Sequence, residues 1–217
     1  MKKIISFSLW GDSSKYLIGA LENIKCQQQL FPDWKCRFYC HESVNLSWIN
    51  KLYKENAEVV LKEETPVIKH MDAPGMFWRF EVLKDKNIER FIVRDTDGRL
   101  TQREKNCILD WERSKREFHI IRDHDQHSTK IMGGMWGATK DFINRIDYDD
   151  LINKFNKLDY VNIYATDQEF LARMIYPLVK GTALIHDDND RYNEGARKIP
   201  HFRTNTDYIG MPYEIKL

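Results

Sequence analysis

The stretch Phe91-Ile92-Val93-Arg94-Asp95-Thr96-Asp97-Gly98-Arg99 decides how this chain is read. An apolar run of strand character ends in two aspartates spaced i, i+2, and a turn glycine follows. Residues i and i+2 share a face of extended chain. At the carboxyl end of a strand the two side chains can therefore project together into the crevice where open α/β sheets bind ligands. Two hard carboxylates in such a place suit Mg²⁺ or Mn²⁺ bridging to a diphosphate. Arg94 and Arg99 flank the pair and could meet phosphate oxygens. The competing reading is a turn aspartate that caps its own backbone; the strand in front of the pair weighs against it.

Outward from this stretch, strand and helix patterns alternate, which argues for an α/β sheet. Lys3–Leu9 reads as the first strand. Ser13 or Ser14 can cap a helix running through Leu17, Ala20, Leu21 and Ile24. Strands follow at Cys36–Cys40 and Ala57–Leu61, with a helix over Leu46–Lys54 between them. An approach helix from about Asp72 and Pro74, through Gly75–Leu83, precedes the strand Arg90–Arg94. Thr101-Gln102-Arg103-Glu104 matches a capping box and opens a helix that turns Cys107, Ile108 and Trp111 inward. Phe118–Ile121 reads as strand, 140–157 as one polar helix, Asp167–Ile175 as a helix ended by Pro177, and Thr182–Ile185 as a last strand. The segment from about 187 is polar and reads as surface loop or lid. The expectation is one domain over 1–217 with a mixed, mostly parallel central sheet flanked by helices.

The 217 residues are 42% hydrophobic and 31% charged, as in a soluble globular protein. A net charge of +1 and unclustered basic residues argue against nucleic acid as a partner. No apolar run is long enough to be a transmembrane segment, and the short run after Met1-Lys2-Lys3 lacks a cleavage pattern. Four cysteines in a chain this long are no disulfide framework. Cys36 and Cys40 with His41 lack a second ligand pair for zinc, so reduced, buried thiols and a cytoplasmic setting, in a host or bacterial cell, are expected.

Several further residues are candidates for a site. The first strand-to-helix turn is a common nucleotide pocket, here Ser8, Trp10 and Tyr16, with either ring able to stack on a base or to pack in the core. No G-x-G-x-x-G follows. Arg79, alone among Phe77, Trp78 and Phe80, is a snorkelling residue or a phosphate or sugar ligand. The loop Asp123-His124-Asp125-Gln126-His127 could hold metal or simply be hydrogen-bonded. Gly133, Gly134 and Gly137 let backbone approach a ligand closely and Trp136 offers a flat face; a tight turn is the alternative. Asp167-Gln168 after Thr166 opens a helix, where a carboxylate complements the dipole, meets a sugar hydroxyl or serves as a base. His186 could add a nitrogen ligand beside Asp97.

In this order, the first strand, the arginine in an aromatic helix, Arg94-Asp95-Thr96-Asp97, Gly133-Gly134-Met135-Trp136-Gly137 and Asp167-Gln168 resemble GT-A-fold (Rossmann-like) glycosyltransferases. Over residues 3–186 the chain is similar to small nucleotide-sugar transferases of large DNA viruses, of the chlorovirus capsid-glycosylating type, and of bacteria. The resemblance implies a nucleoside-diphosphate sugar donor, UDP-sugar favoured, a hexosyltransferase type of activity, and a glycan or protein acceptor. It implies Mn²⁺ or Mg²⁺ held mainly by Asp97, with Asp95 at the ribose or a metal-bound water and His186 as a further ligand. His186 lacks the glycine and lysine pattern that follows the equivalent histidine in glycogenin-like enzymes. Asp167 would be the catalytic base, with Gln168 beside it. Two other classes compete: a sugar-nucleotide-forming nucleotidyltransferase, for which Gly11-Asp12-Ser13-Ser14-Lys15 is too poor in glycine and arginine, and a non-catalytic, metal-dependent carbohydrate-binding module.

Overall fold

The computed structural model describes residues 1–63, 68, 74–159, 165–200, 203 and 207–213. Among the described residues seven strands form one sheet in the order β3-β2-β1-β4-β6-β5-β7. They are β1 (Lys2–Leu9), β2 (Trp34–His41), β3 (Glu58–Lys62), β4 (Ile88–Val93), β5 (Phe118–Arg122), β6 (Trp136–Thr139) and β7 (Leu184–Asp187). The β1–β2, β1–β4, β2–β3 and β5–β7 pairs are parallel, and β6 runs antiparallel between β4 and β5. The six remaining strands thus end at one edge. Strand order reverses between β1 and β4, which is where such sheets open a crevice.

The alternation along β1 explains the two cores. Ile5, Phe7 and Leu9 face a layer made by α1 (Ser14–Leu30), α2 (Leu46–Lys54) and α3 (Gln102–Ser114), where Leu17, Ile24, Leu52, Ile108 and Trp111 are buried. Ile4 faces the other way, into a core of Phe77, Phe80, Phe91, Phe118, Trp136 and Phe170. Ser6 and Ser8 share its face by the period of two. No helix among the described residues is long and apolar enough to cross a membrane.

Apart from β6, a strand that the sequence reading did not assign, the structure departs from the sequence expectations in five places. The approach helix is a 3-10 helix, Pro74–Lys84, and Asp72 lies outside the described residues. The expected helix over 140–157 is two, α4 (Lys140–Arg145) and α5 (Tyr148–Asn156), because the Asp147 carboxylate accepts the Asp150 N–H at 3.1 Å and restarts the helix. Pro177 ends nothing. α6 (Thr166–Phe170) widens into a π-turn, Leu171–Ile175, and Pro177 sits at the start of the turn that follows, α7 (Tyr176–Val179), where its missing N–H costs little. The last strand is Leu184–Asp187, so His186 lies inside it.

The fifth departure concerns the described residues of the C-terminal segment, which are irregular, as expected of a surface loop, but anchored to the sheet rather than loose. Fully buried Arg122 pairs with Asp187 at 2.8 Å and with Glu194. Ile199 and Ile209 are buried with Cys107, Ile121 and Met135. The Asp123 carboxylate takes both arms of Arg103, at 2.9 and 2.7 Å, and the Ile209 N–H at 2.9 Å. Burial opposes its charge, but these donors hold the carboxyl below its ordinary range. All four cysteines are free, with Cys36 and Cys40 both buried in the core facing α1.

Three buried histidines make stability depend on pH. His119 Nε2 and His186 Nδ1 lie 2.8 Å apart, and His119 stacks on Trp111. Burial pushes His119 well below its ordinary value, His186 below it, and His127 down to about 4. Each is neutral when folded and free to protonate when unfolded. Their contribution is therefore whole above pH ~6.5 and is lost as pH falls through that value toward the folded pKa. Thermal unfolding should give a steady Tm from pH 8 to 7 and a falling one below pH ~6.5. A Tm unchanged from pH 7.5 to 5 would contradict this.

Candidate functional site

The site begins with Arg79. The Ser6 hydroxyl donates to the Arg79 carbonyl at 2.7 Å, and the Arg79 N–H donates to Ser8 Oγ at 2.9 Å. Two strand hydroxyls thus fasten the 3-10 helix at the residue whose side chain matters. Ser8 is spent on this; it is buried and supports the site from beneath. The guanidinium forks between two carboxylates. Nη1 pairs with Asp95 Oδ1, and Nη2 donates to Asp167 Oδ2 at 2.8 Å. Burial works against the charge on Arg79, but Asp95 and Asp167 raise its pKa.

The two carboxylates differ in access. The Asp95 side chain is 47% exposed and that of Asp167 4%. Asp167 Oδ1 also accepts the backbone N–H of Gln168 at 2.9 Å. Burial pushes the Asp167 carboxyl above its ordinary range, with Arg79 pulling the other way. Ala165, in the left-handed region at φ 59°, caps α6 in place of the expected Thr166, which is its first residue. Gln168 points away to the Thr129 hydroxyl, which donates to its Oε1 at 3.0 Å.

The glycine segment closes over this cluster. The Met135 N–H donates to the Met132 carbonyl at 3.1 Å, a tight turn centred on Gly133 and Gly134. A methyl group on Gly133 would collide with Asp167 Oδ2 and the Arg79 guanidinium, and one on Gly134 with the Asp95 carboxylate. The tight turn offered as the alternative is present, and the close approach is to the side chains of Arg79, Asp95 and Asp167 rather than to a ligand. Trp136 is not a platform for a ligand. It is wholly buried, stacks on Phe118 at 5.4 Å, and donates its indole N–H to Gly133 at 3.2 Å.

The two aspartates that opened the sequence reading part company. The strand ends at Val93, and Thr96 and Asp97 lie in a turn, so the extended face they were expected to share is lost. Asp95 goes to Arg79, while Asp97 Oδ2 pairs with Lys15 Nζ at 2.8 Å, on the first turn of α1. α1 pins the turn. Asn23 donates to the carbonyls of Gly98 at 2.9 Å and Thr96 at 3.3 Å, and accepts the Leu100 N–H at 3.1 Å.

Neither flanking arginine reaches outward to a phosphate. Arg94 is buried; its Nε donates to Glu104 at 2.5 Å, and its Nη1 to the carbonyls of Val93 at 2.6 Å and Trp136 at 3.2 Å. Arg99 donates to the Gly98 carbonyl at 2.7 Å and lies over Tyr213. His186 is not brought to the aspartates either. Its Nδ1 meets His119, its Nε2 lies 3.2 Å from Asp110 of α3, and its side chain is wholly buried. The Asp123–His127 loop is hydrogen-bonded, with the Asp123 N–H donating to His127 Nδ1 at 3.0 Å.

A divalent ion therefore fits poorly. Of the three expected ligands, Asp95 and Asp97 each give an oxygen to a protein cation, and His186 lies in the core. No group of three or more His, Cys, Asp or Glu side chains among the described residues could hold a metal ion.

Beside β1 the edge is aromatic. Trp10, 40% exposed, packs edge-on against Trp78, and Trp78 stacks on His41 with ring centroids 5.4 Å apart. Tyr16, 41% exposed, lies under the Lys15 ammonium at 5.4 Å. In the sequence Lys15 stands out only in the turn over 11–15, His41 only beside the cysteines and Trp78 only as a neighbour of Arg79, and none of the three is placed at the site. Lys15 carried one signal, its place at the start of the helix after the first strand.

Solved structures share this fold. The glycosyltransferase involved in glycosylation of the major capsid of PBCV-1 is 16% identical and superposes with a TM-score of 0.51, over 87% of this chain and 83% of that one. GlyE of Streptococcus pneumoniae TIGR4 is 13% identical with a TM-score of 0.56, over 88% of this chain and 46% of that one. S. aureus TarS 1–349 is 16% identical with a TM-score of 0.53, over 78% and 54%. This chain thus spans about half the length of the two bacterial chains. No protein-family model and no curated protein matches it. The likeness is one of fold: the GT-A-like α/β architecture expected from the sequence.

Removing Arg79 should be costly. Arg79→Met leaves Asp167 buried and unpaired, and breaking a buried pair from one side costs about 3–5 kcal/mol. Arg79→Lys keeps the charge without the fork and should recover only part of this. Urea unfolding measures both. Arg79→Met at wild-type stability would show that the cluster does not hold the fold.

Proposed function

We propose that this chain is a glycosyltransferase that moves a sugar from a nucleoside-diphosphate donor, UDP-sugar favoured, to a hydroxyl of a glycan or protein-linked acceptor. One observation carries this reading. Arg79, Asp95, the Gly133-Gly134 turn and Asp167, far apart in sequence, meet in one charged cluster beside the β1–β4 crevice. That cluster sits in a fold whose neighbours include glycosyltransferases.

The donor lies across the edge, its base toward Trp10 and Tyr16 and its sugar toward Asp95. The acceptor hydroxyl attacks the anomeric carbon, the bond to the diphosphate oxygen breaks, and the nucleoside diphosphate leaves with the electron pair. The hydroxyl proton passes to a carboxylate. Asp95 is the open one of the pair and takes this role. The expected base, Asp167, is sealed by Arg79, Gln168 and the glycine turn, and is better read as a positioning residue that aims Arg79, and through it Asp95.

The test is release of nucleoside diphosphate from a panel of nucleotide sugars, with water as the acceptor. Asp95→Asn should fold normally and lose about 2 to 4 powers of ten in turnover, as expected of a lost general base. Asp167→Asn should misplace Arg79, lowering kcat about 100-fold while KM for the donor changes little, and Asp167→Glu should recover part of it. Failure of every nucleotide sugar to be bound or cleaved would overturn the proposal. Wild-type turnover in Asp95→Asn would remove the base assignment.

A further inference from the structure

We propose that one water molecule, held between Arg94 Nη2 and Asp95 Oδ2 in a small cavity, fixes the outward-facing carboxylate of the site. Its importance for turnover rests on the reading of Asp95 as the base; the water site itself stands apart from that reading. Arg94 supplies the first observation. A guanidinium has five N–H donors. Nε donates to Glu104 at 2.5 Å, and Nη1 to the carbonyls of Val93 at 2.6 Å, Trp136 at 3.2 Å and Gly134 at 3.4 Å. Nη2 is buried, in a side chain 5% exposed, and has no hydrogen-bond partner among the described residues. A buried donor without an acceptor is costly, most of all on a charged group. Asp95 supplies the second observation. Arg79 takes its Oδ1, whereas Oδ2 lies against Gly134, where an added methyl group would collide with it. The Arg94 guanidinium reaches the carbonyl of the same Gly134. Nη2 and Oδ2 therefore converge on one stretch of backbone, yet Arg94 and Asp95 form no ion pair among the described residues.

Both residues line a cavity of about 10 Å³, together with Gly98, Glu104, Gly134 and Gly210. That is the least space that takes one water molecule. Three of the walls are glycines, so backbone encloses the cavity without filling it. Charge selects the occupant. The Arg94 guanidinium repels a cation, and the Asp95 and Glu104 carboxylates repel an anion. A neutral molecule that both accepts and donates fits, accepting from Nη2 and donating to Oδ2, and at this size it is water. A buried water makes about three hydrogen bonds, and the Glu104 carboxylate in the same lining offers the third. The water gives the site a second hold on Asp95, whose side chain is 47% exposed and is fixed by Arg79 from one side only. A carboxylate held at both oxygens keeps one orientation toward an acceptor hydroxyl. In this arrangement Arg94 is a positioning residue that acts on Asp95 through the water.

High-resolution crystallography and kinetics on the whole chain test this. The wild-type map should show one water roughly 3 Å from both Arg94 Nη2 and Asp95 Oδ2. Gly98→Ala fills the cavity. Its methyl group would sit 3.6 Å from Gly210 Cα and 3.7 Å from the Asp95 carbonyl oxygen, ordinary contacts with two of the cavity's own walls. This variant should fold as the wild type does, lose the water, and let the Asp95 side chain take more than one conformer while the Arg79–Asp167 pair stays in place. Its kcat should fall about tenfold with KM for the donor nearly unchanged. Gly98→Ser, whose hydroxyl can replace the water, should recover part of kcat and return Asp95 to one conformer. Arg94→Lys keeps a charge for Glu104 but has no second nitrogen for the cavity, and should lose the water and loosen Asp95 in the same way. A wild-type map with no water joining the two groups would overturn the proposal. So would an Asp95 side chain that keeps its wild-type place once the water is gone. If Asp95 moves and kcat does not, the water site stands and the reading of Asp95 as the base fails. If no nucleotide sugar is cleaved at all, the donor reading fails, and the maps still decide the water site.

Discussion

The Arg79 guanidinium, shared between Asp95 and Asp167, is the constraint on which the rest of the site depends. A buried cation is costly unless its charge is met and its donors are used. Arg79 meets one carboxylate from the turn after β4 and one from the start of α6, so one side chain sets the spacing between three elements. The Gly133-Gly134 turn then has to pass within contact of all three groups, and only backbone without a side chain fits. Ser6 and Ser8 complete the arrangement by tying the Arg79 backbone to β1.

A second set of polar contacts holds the outer parts of the molecule against this centre. Asn23 and Lys15 join α1 to the β4 turn, and Asp123 gathers Arg103 of α3 and the Ile209 backbone. The buried face of the sheet beneath is apolar and carries the bulk of the stabilising burial. The charged contacts above it decide geometry more than stability. They fix which carboxylate faces outward, and that difference in access, not a difference in chemical type, separates the roles proposed for Asp95 and Asp167.

The same logic explains where local reading stopped. Thr101 caps α3, its Oγ1 accepting the Glu104 N–H at 3.1 Å as the capping box predicts, but the Glu104 carboxylate goes to Arg94. The tertiary partner outbids the local one because a buried guanidinium has no water to turn to. Trp136 and His186 looked like ligand-facing groups in sequence, and the core took both: Trp136 because a large ring gains from burial, His186 because His119 and Asp110 meet its two ring nitrogens.

Periodicity and turn chemistry by themselves determined the α/β class, six of the seven strands near their observed places, the inward face of α3, and the segments that form the candidate site: the approach helix with Arg79, the turn with Asp95 and Asp97, the glycine pair, and Asp167. These follow from short-range rules, because period and capping depend on neighbours within a few residues. Only the tertiary structure decided what those residues touch. The antiparallel insertion of β6, the split between Asp95 and Asp97, the pairing of Asp97 with Lys15 82 positions earlier, and the closure of Asp167 by a glycine turn all join residues far apart in the chain. Long-range charge pairing follows from which elements the sheet order brings together, and no local pattern encodes it.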